Sequence, residues 1–197
     1  MLTIPNPLAF SPESINLKDK KHELLFVGRV DCVFKQVDVL LKIWSFLHER
    51  FPDWELKIVG GDGEGEITSL SKNLGLKNVS FEGFQDPTPY YSNASIFCLT
   101  SSSESFGLVL IEAMRFGVVP FAFSSYDSVT DIIDSPKVGV LIEPFDCKQY
   151  SDELSKLMLD RRRREEMAIM AQQKSCLYSI DVIGDKWLNL FKNLERV

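Results

Sequence analysis

Paired cysteines, histidine, net positive charge and long apolar runs are scarce in this 197-residue chain, and each scarcity removes a class of function. Cys32, Cys98, Cys147 and Cys176 are scattered, with no close pair of the metal or redox type, so they read as free thiols in a reducing compartment. The two histidines, His22 and His48, have no Ser, Cys or acid motif around them that suggests a triad. A net charge of −6 argues against nucleic acid as the main partner. The Arg161-Arg162-Arg163-Arg164 run is followed at once by Glu165-Glu166 and reads as a solvated helix face. No apolar run approaches membrane-spanning length, and the N-terminus lacks the charged-then-apolar pattern of a signal peptide. The cytoplasm is the expected location. Neither a GxxxxGK[ST] phosphate loop nor an Asp-x-Asp pair for a catalytic metal occurs, and there is no internal repeat or low-complexity segment.

What the chain does have is enough apolar residue, 45% against 25% charged, for one soluble domain of generous size. Its organising stretch is Ser101-Ser102-Ser103-Glu104-Ser105-Phe106-Gly107-Leu108-Val109-Leu110-Ile111-Glu112-Ala113. Ser95–Leu99 before it reads as a buried parallel strand, and Leu108, Ile111, Ala113 and Met114 after it recur at helical spacing. The serine-rich piece is therefore a strand-to-helix turn that presents unpaired N–H groups at a helix N-terminus, where phosphate is favoured. Glu104 lies in that turn. Glu112 lies about two turns further on, among Leu108, Val109 and Phe116, and needs a partner. Arg115 at i+3 is one candidate and a ligand diol such as a ribose is the other.

Residues 1–20 carry three prolines and no helical period, and read as an extended or irregular linker. Strands follow at 23–28, 54–59, 79–83, 95–99, 118–123 and 139–142, with helices from Val37 to near Pro52, over 67–74, through Leu108, Ile111, Ala113 and Met114, and over 128–133 between them. The piece through Pro87 and Pro89 reads as a turn. Three helices close the chain, near 147–159, 162–175 and 179–195. This alternation specifies a doubly wound α/β domain around a parallel six-stranded sheet. With strand order 3-2-1-4-5-6, Arg29 and Lys35 after strand one face Glu104–Gly107 after strand four across the switch point, a crevice suited to a diphosphate.

Gly60-Gly61-Asp62-Gly63-Glu64-Gly65 competes as a dinucleotide loop, with Glu82 mimicking the ribose acid. Its spacing fails: counted from Gly61 the third glycine falls at Glu66, and counted from Gly60 the second falls at Asp62. A calcium-loop reading of Asp62, Glu64 and Glu66 fails at Ile67 and Asn73.

With these residues placed, the chain resembles the C-terminal, donor-binding half of GT-B-fold retaining glycosyltransferases of family GT4. The most specific piece is Glu104 and Glu112 inside SSSESFGLVLIEAM. Phe26-Val27-Gly28-Arg29 with Lys35, the Val59–Gly63 turn, Phe81-Glu82-Gly83-Phe84 and Gly117-Val118-Val119-Pro120 follow in the family's order. The resemblance implies that Arg29 and Lys35 grip the donor pyrophosphate and that Glu104 faces the donor sugar. The N–H groups of Phe106 and Gly107 then lie beside Glu104. Ser105, Leu108 and Val109 line the site, Glu112 takes the ribose diol, and Phe84 and Gln85 meet the base. It further implies a Rossmann-like domain over 21–178, followed by an amphipathic helix over 179–197.

The implied reaction moves a hexosyl-type group from a nucleotide-diphosphate sugar to a glycan or lipid-linked acceptor, with retention and with no cofactor or metal. The implied partners are the nucleotide-sugar donor and an N-terminal acceptor domain that could also touch the inner face of the cell membrane. The final helix would fold onto its own domain, pair with a second copy or stay partly exposed. A nucleotide-sugar-binding module inactive alone, a GT-B-type sugar-nucleotide epimerase and an NAD-dependent oxidoreductase are the competing classes. Two departures from the family stand out: Gln36 where a glycine usually follows the lysine, and Ser124-Ser125-Tyr126 in place of a glycine pair.

Overall fold

The computed structural model describes residues 3–8, 15–62 and 65–194. Six strands, β1 (Glu23–Val27), β2 (Glu55–Val59), β3 (Val79–Gly83), β4 (Ile96–Leu99), β5 (Val119–Phe123) and β6 (Val140–Ile142), form one sheet in the order β3-β2-β1-β4-β5-β6. Every pairing is parallel. The expected strand order is the one observed. Continuous apolar runs make the inner strands: all residues of β4 and β5 are buried, whereas β3 at the edge is only half-buried. That gradient is what a parallel sheet covered on both faces requires.

Among the described residues there are eight α-helices: α1 (Val37–Ser45), α2 (Glu66–Asn73), α3 (Thr88–Asn93), α4 (Leu108–Arg115), α5 (Ser128–Ile132), α6 (Cys147–Leu159), α7 (Arg161–Ser175) and α8 (Ile180–Leu194). Helix α1 buries Val37, Leu40, Leu41, Ile43 and Trp44 along one face, and Trp44 Nε1 donates to the Lys77 carbonyl at 2.9 Å. Helix α3 corrects the expected turn at Pro87 and Pro89. Proline is tolerated in a helix's first turn, where its missing N–H has no partner to lose, and Asp86 accepts from the Thr88 N–H at 3.0 Å.

The arginine run divides. Arg161 and Arg162 pair with Glu165 and Glu166 at 2.8 Å on the solvent side, as expected of a solvated face. Arg164 does not: it is buried, donates to the carbonyls of Leu157 and Met158, and lies 4.9 Å over the Trp54 ring. It satisfies the C-terminal carbonyls of α6, which a solvated arginine would leave bare.

The N-terminal segment is fastened at two points. Leu8 is buried and its N–H donates to the Tyr178 carbonyl at 2.7 Å, while Leu17–Asp19 form a 3-10 turn. Of the apolar stripe on α8, Ile183 is buried, but Ile180, Trp187, Phe191 and Leu194 are exposed.

Candidate functional site

At the carboxyl edge of the sheet, the loops after β1 and β4 are stitched together. Thr100 Oγ1 donates to the carbonyls of Lys35 and Gln36 at 3.1 and 3.0 Å, and the Ser102 N–H donates to the Phe34 carbonyl at 2.8 Å. Asp31 shapes the β1 loop by accepting from the N–H groups of Val33, Phe34 and Lys35. Partial burial pushes its carboxyl up, but those backbone bonds and the Arg29 side chain outweigh it and hold the carboxyl below its usual range. Gln36 caps α1 in the left-handed region, at φ 49°. This is where the family's glycine would sit without strain, and glutamine accepts about 1–2 kcal/mol of strain there.

The stitched loops bring Lys35 and Glu104 together. Lys35 Nζ lies 2.5 Å from Glu104 Oε1, and Ser101 Oγ donates to the same oxygen at 2.7 Å. Their side chains are only 19% and 10% exposed, so the pair is shielded from screening. Arg29, in contrast, is 68% exposed, pairs with Asp31 at 2.9 Å and lies 5.7 Å over the Phe34 ring. The two cations therefore share a loop while each holds its own carboxylate.

Beyond Glu104, Gly107 caps α4 at φ 90°. Among the described residues, the N–H groups of Phe106, Gly107, Leu108 and Val109 donate to no protein acceptor. These are the free donors of a helix end that carries partial positive charge. Phe106 is anchored from behind, its carbonyl accepting from Ser128 Oγ at 3.0 Å and its ring meeting Tyr178 edge-on. Ser105 is exposed at the mouth, and Leu108 and Val109 pack half-buried against the core.

Of the two sequence candidates for Glu112, Arg115 is not its partner. Arg115 donates to Cys176 Sγ instead, and Glu112 Oε2 accepts from the Tyr91 hydroxyl at 2.9 Å. Burial raises the Glu112 carboxyl above its usual range, against the lowering effect of the Tyr91 bond. Tyr91 is buried and its phenol is pushed well up, by burial first and then by Glu112. Its backbone carbonyl accepts from Lys20 Nζ at 2.6 Å.

A cleft of about 510 Å³ opens on the β2 side, lined by Gly28, Arg29, Gly60, Gly61, Phe84 and Gln85 among others. Phe84 is 94% exposed at its rim. Gln85 Nε2 donates to the Glu82 carbonyl at 2.6 Å. A β-carbon on Gly60, at φ 151°, would stand 1.8 Å from the Gly28 carbonyl oxygen, so only glycine lets these two loops meet. That contact gives the glycine-rich segment a structural purpose. Asp62 adds another, capping α2 by accepting from the Thr68 N–H and hydroxyl at 2.8 Å, while Gly63 and Glu64 lie outside the described residues.

Sequence reasoning missed Tyr91, Asp31 and Ser101 as parts of the site. Tyr91 was hidden by the turn reading of its prolines; a proline at the second position of a helix was the available signal. Asp31 stands four residues ahead of Lys35, the offset of a side chain that gathers successive backbone N–H groups.

The family described as glycosyl transferases group 1 matches residues 9–174. An uncharacterized glycosyltransferase of Haemophilus influenzae is 32% identical over 95% of this chain and 54% of its own length. An N-acetylgalactosaminyltransferase of Campylobacter jejuni, named for an undecaprenol-linked glycan, is 30% identical over 97% of this chain and 54% of its own. The chain thus spans about half the length of these relatives. In structure, a TarM variant of S. aureus has a TM-score of 0.81 at 24% identity, over 96% of this chain and 38% of that one. A sucrose-phosphate synthase of Thermosynechococcus elongatus has a TM-score of 0.81 at 22% identity, over 98% of this chain and 52% of that one. These two likenesses concern the fold, whereas the family match and the Haemophilus relative settle membership: the chain belongs to the glycosyl transferases group 1 family.

Proposed function

We propose that this chain is the donor-binding half of a retaining, metal-independent glycosyltransferase that takes a hexosyl-type group from a nucleotide-diphosphate sugar. The observation that carries the reading is the convergence, at the β1/β4 switch point, of Lys35, Glu104 and the unpaired N–H groups at the start of α4. Fixed cations and a helix end offset the charge of a departing diphosphate without reorganising during the reaction. Arg29 and Lys35 grip the diphosphate. Glu104, held by Lys35 and Ser101, faces the sugar. Glu112 keeps lone pairs free for the ribose diol once Tyr91 has fixed its orientation, and Phe84 and Gln85 receive the base at the cleft rim.

The acceptor is a glycan or a lipid-linked glycan, a class supported by the printed name of the Campylobacter relative. It would be held by an N-terminal domain, in keeping with the half-length matches. Retention is supported by the likeness around Glu104 and Glu112. Because positioning of the acceptor supplies much of the acceleration, the 197-residue chain alone should bind donor at high micromolar to millimolar affinity, about −4 to −5 kcal/mol, and transfer no sugar. Calorimetry with uridine, guanosine and adenosine diphosphates tests the binding, and a radiolabelled-sugar assay tests the transfer. Failure to bind any of the three overturns the donor-site reading, and sugar transfer by the chain alone overturns the half-enzyme reading.

A further inference from the structure

The loop between β5 and α5 is pinned to the β4–α4 turn on both sides of one aromatic residue. Ser125 Oγ donates to the Ser101 carbonyl at 2.5 Å, and Ser128 Oγ donates to the Phe106 carbonyl at 3.0 Å. Tyr126, clamped between them, directs its hydroxyl at the helix cap: a β-carbon on Gly107 would stand 2.6 Å from that oxygen. Gly107 also has φ 90°, so both its backbone conformation and this approach exclude a side chain. The Tyr126 hydroxyl is sealed from solvent and has no hydrogen-bond partner among the described residues. A buried hydroxyl left unpaired is costly, and such groups in folded proteins call for an explanation.

Its neighbours say what would complete it. The N–H groups of Phe106, Gly107, Leu108 and Val109 stand free at the same helix end, so a single acceptor meeting these donors and the hydroxyl must be electron-rich. Glu104 is not that acceptor here: its Oε1 is held by Lys35 and Ser101, and the Tyr126 hydroxyl makes no hydrogen bond to it. Burial, and then the Glu104 charge, push the Tyr126 phenol above its ordinary range, which keeps its proton in place for donation.

We propose that Tyr126 is a ligand-binding residue whose hydroxyl donates to the distal phosphate of a nucleoside diphosphate seated on the N-terminus of α4. The proposal rests on the donor-site reading above and adds to it a residue from a position where the resembling family carries glycine. Reaching the hydroxyl takes a small displacement of the Gly107 peptide, which a residue without a side chain permits.

The test is Tyr126→Phe in the 197-residue chain, titrated calorimetrically with uridine, guanosine and adenosine diphosphates and with the matching monophosphates, which lack the distal phosphate. For whichever base the parent binds, the diphosphate should bind about tenfold more weakly to the variant, the scale of one charge-assisted hydrogen bond, with monophosphate affinity unchanged. Without ligand, the variant should melt a few degrees higher, having shed an unpaired polar atom. Unchanged diphosphate affinity, or an equal loss for diphosphate and monophosphate, overturns the assignment while leaving the donor site standing. A parent chain that binds no diphosphate overturns both.

Discussion

On the β1–β3 flank of the crevice, polar side chains are satisfied by their own loops. Arg29 is held by Asp31, and Gln85 by the Glu82 carbonyl three residues back. On the β4 flank, the Tyr126 hydroxyl apart, they are satisfied across the sheet: Lys35 reaches Glu104, Tyr91 reaches Glu112, and Ser125 and Ser128 reach over from the next loop. The first flank is an exposed rim whose contacts can change without disturbing the fold. The second is a shelf whose site residues are also structural members, so a ligand meets groups already oriented. Breaking the shelf should cost stability and binding together. Breaking the rim should cost binding alone.

The largest pH effect should come from beneath the shelf, where Lys20 donates to the Tyr91 carbonyl and burial, partly offset by Glu23, lowers its amine from 10.5 to about 7. Between those values the unfolded chain holds the proton that the folded chain has released, so this group's contribution to stability rises with pH across the window. Its cost is fully present below pH 7. Lys20→Met should therefore raise the melting temperature most near pH 6, with the gain shrinking toward pH 10. A gain independent of pH would show that Lys20 is not the group titrating.

Lys35→Ala and Arg29→Ala set shelf against rim most directly. Each should weaken nucleoside-diphosphate binding by about 2–3 kcal/mol, the scale of charge-assisted hydrogen bonds. Lys35→Ala also strands a shielded Glu104 and should destabilise the fold by about 1–3 kcal/mol. Arg29→Ala should stay within about 0.5 kcal/mol of the parent in stability, since its side chain is largely exposed. Urea denaturation beside calorimetry separates the two, and equal destabilisation would erase the distinction.

The legible parts of the molecule were those written in continuous apolar runs. The strand order follows from β1, β4 and β5 being buried on both faces while β3 and β6 are not. Glu104 and Lys35 were also legible, because each stands in a turn whose position the runs on either side fix. Tyr91 was not, since its contact with Glu112 depends on where the fold sets α3 beside α4, and no local spacing encodes that distance. Arg164 was illegible for the same reason: only the packing of α6 against α7 turns it away from its exposed neighbours.

Glu112 lies on the shelf, so Glu112→Gln should act with intermediate size. An amide can still accept from Tyr91, so the fold should persist. Loss of the charge should weaken a ribonucleoside diphosphate relative to its 2′-deoxy analogue by about 1–2 kcal/mol. The raised Glu112 carboxyl costs the fold stability as pH climbs through the carboxylate range, because the folded state holds that proton longer. The substitution should flatten that part of the stability curve. An unaltered ribose preference would assign Glu112 to Tyr91 alone.

Phe84 tests the rim at its most exposed point and carries the smallest expected effect. A phenyl ring 94% exposed at the lip of an apolar cleft gains nothing for the fold, so Phe84→Ala should leave the melting temperature unchanged. If the base stacks there, nucleoside-diphosphate affinity should fall by about 1 kcal/mol, at the lower end of base-on-aromatic stacking. Inorganic pyrophosphate, which has no base, should bind parent and variant equally. Loss of pyrophosphate binding in the variant would mean that the rim supports the phosphate-binding groups after all, and that rim and shelf are one unit.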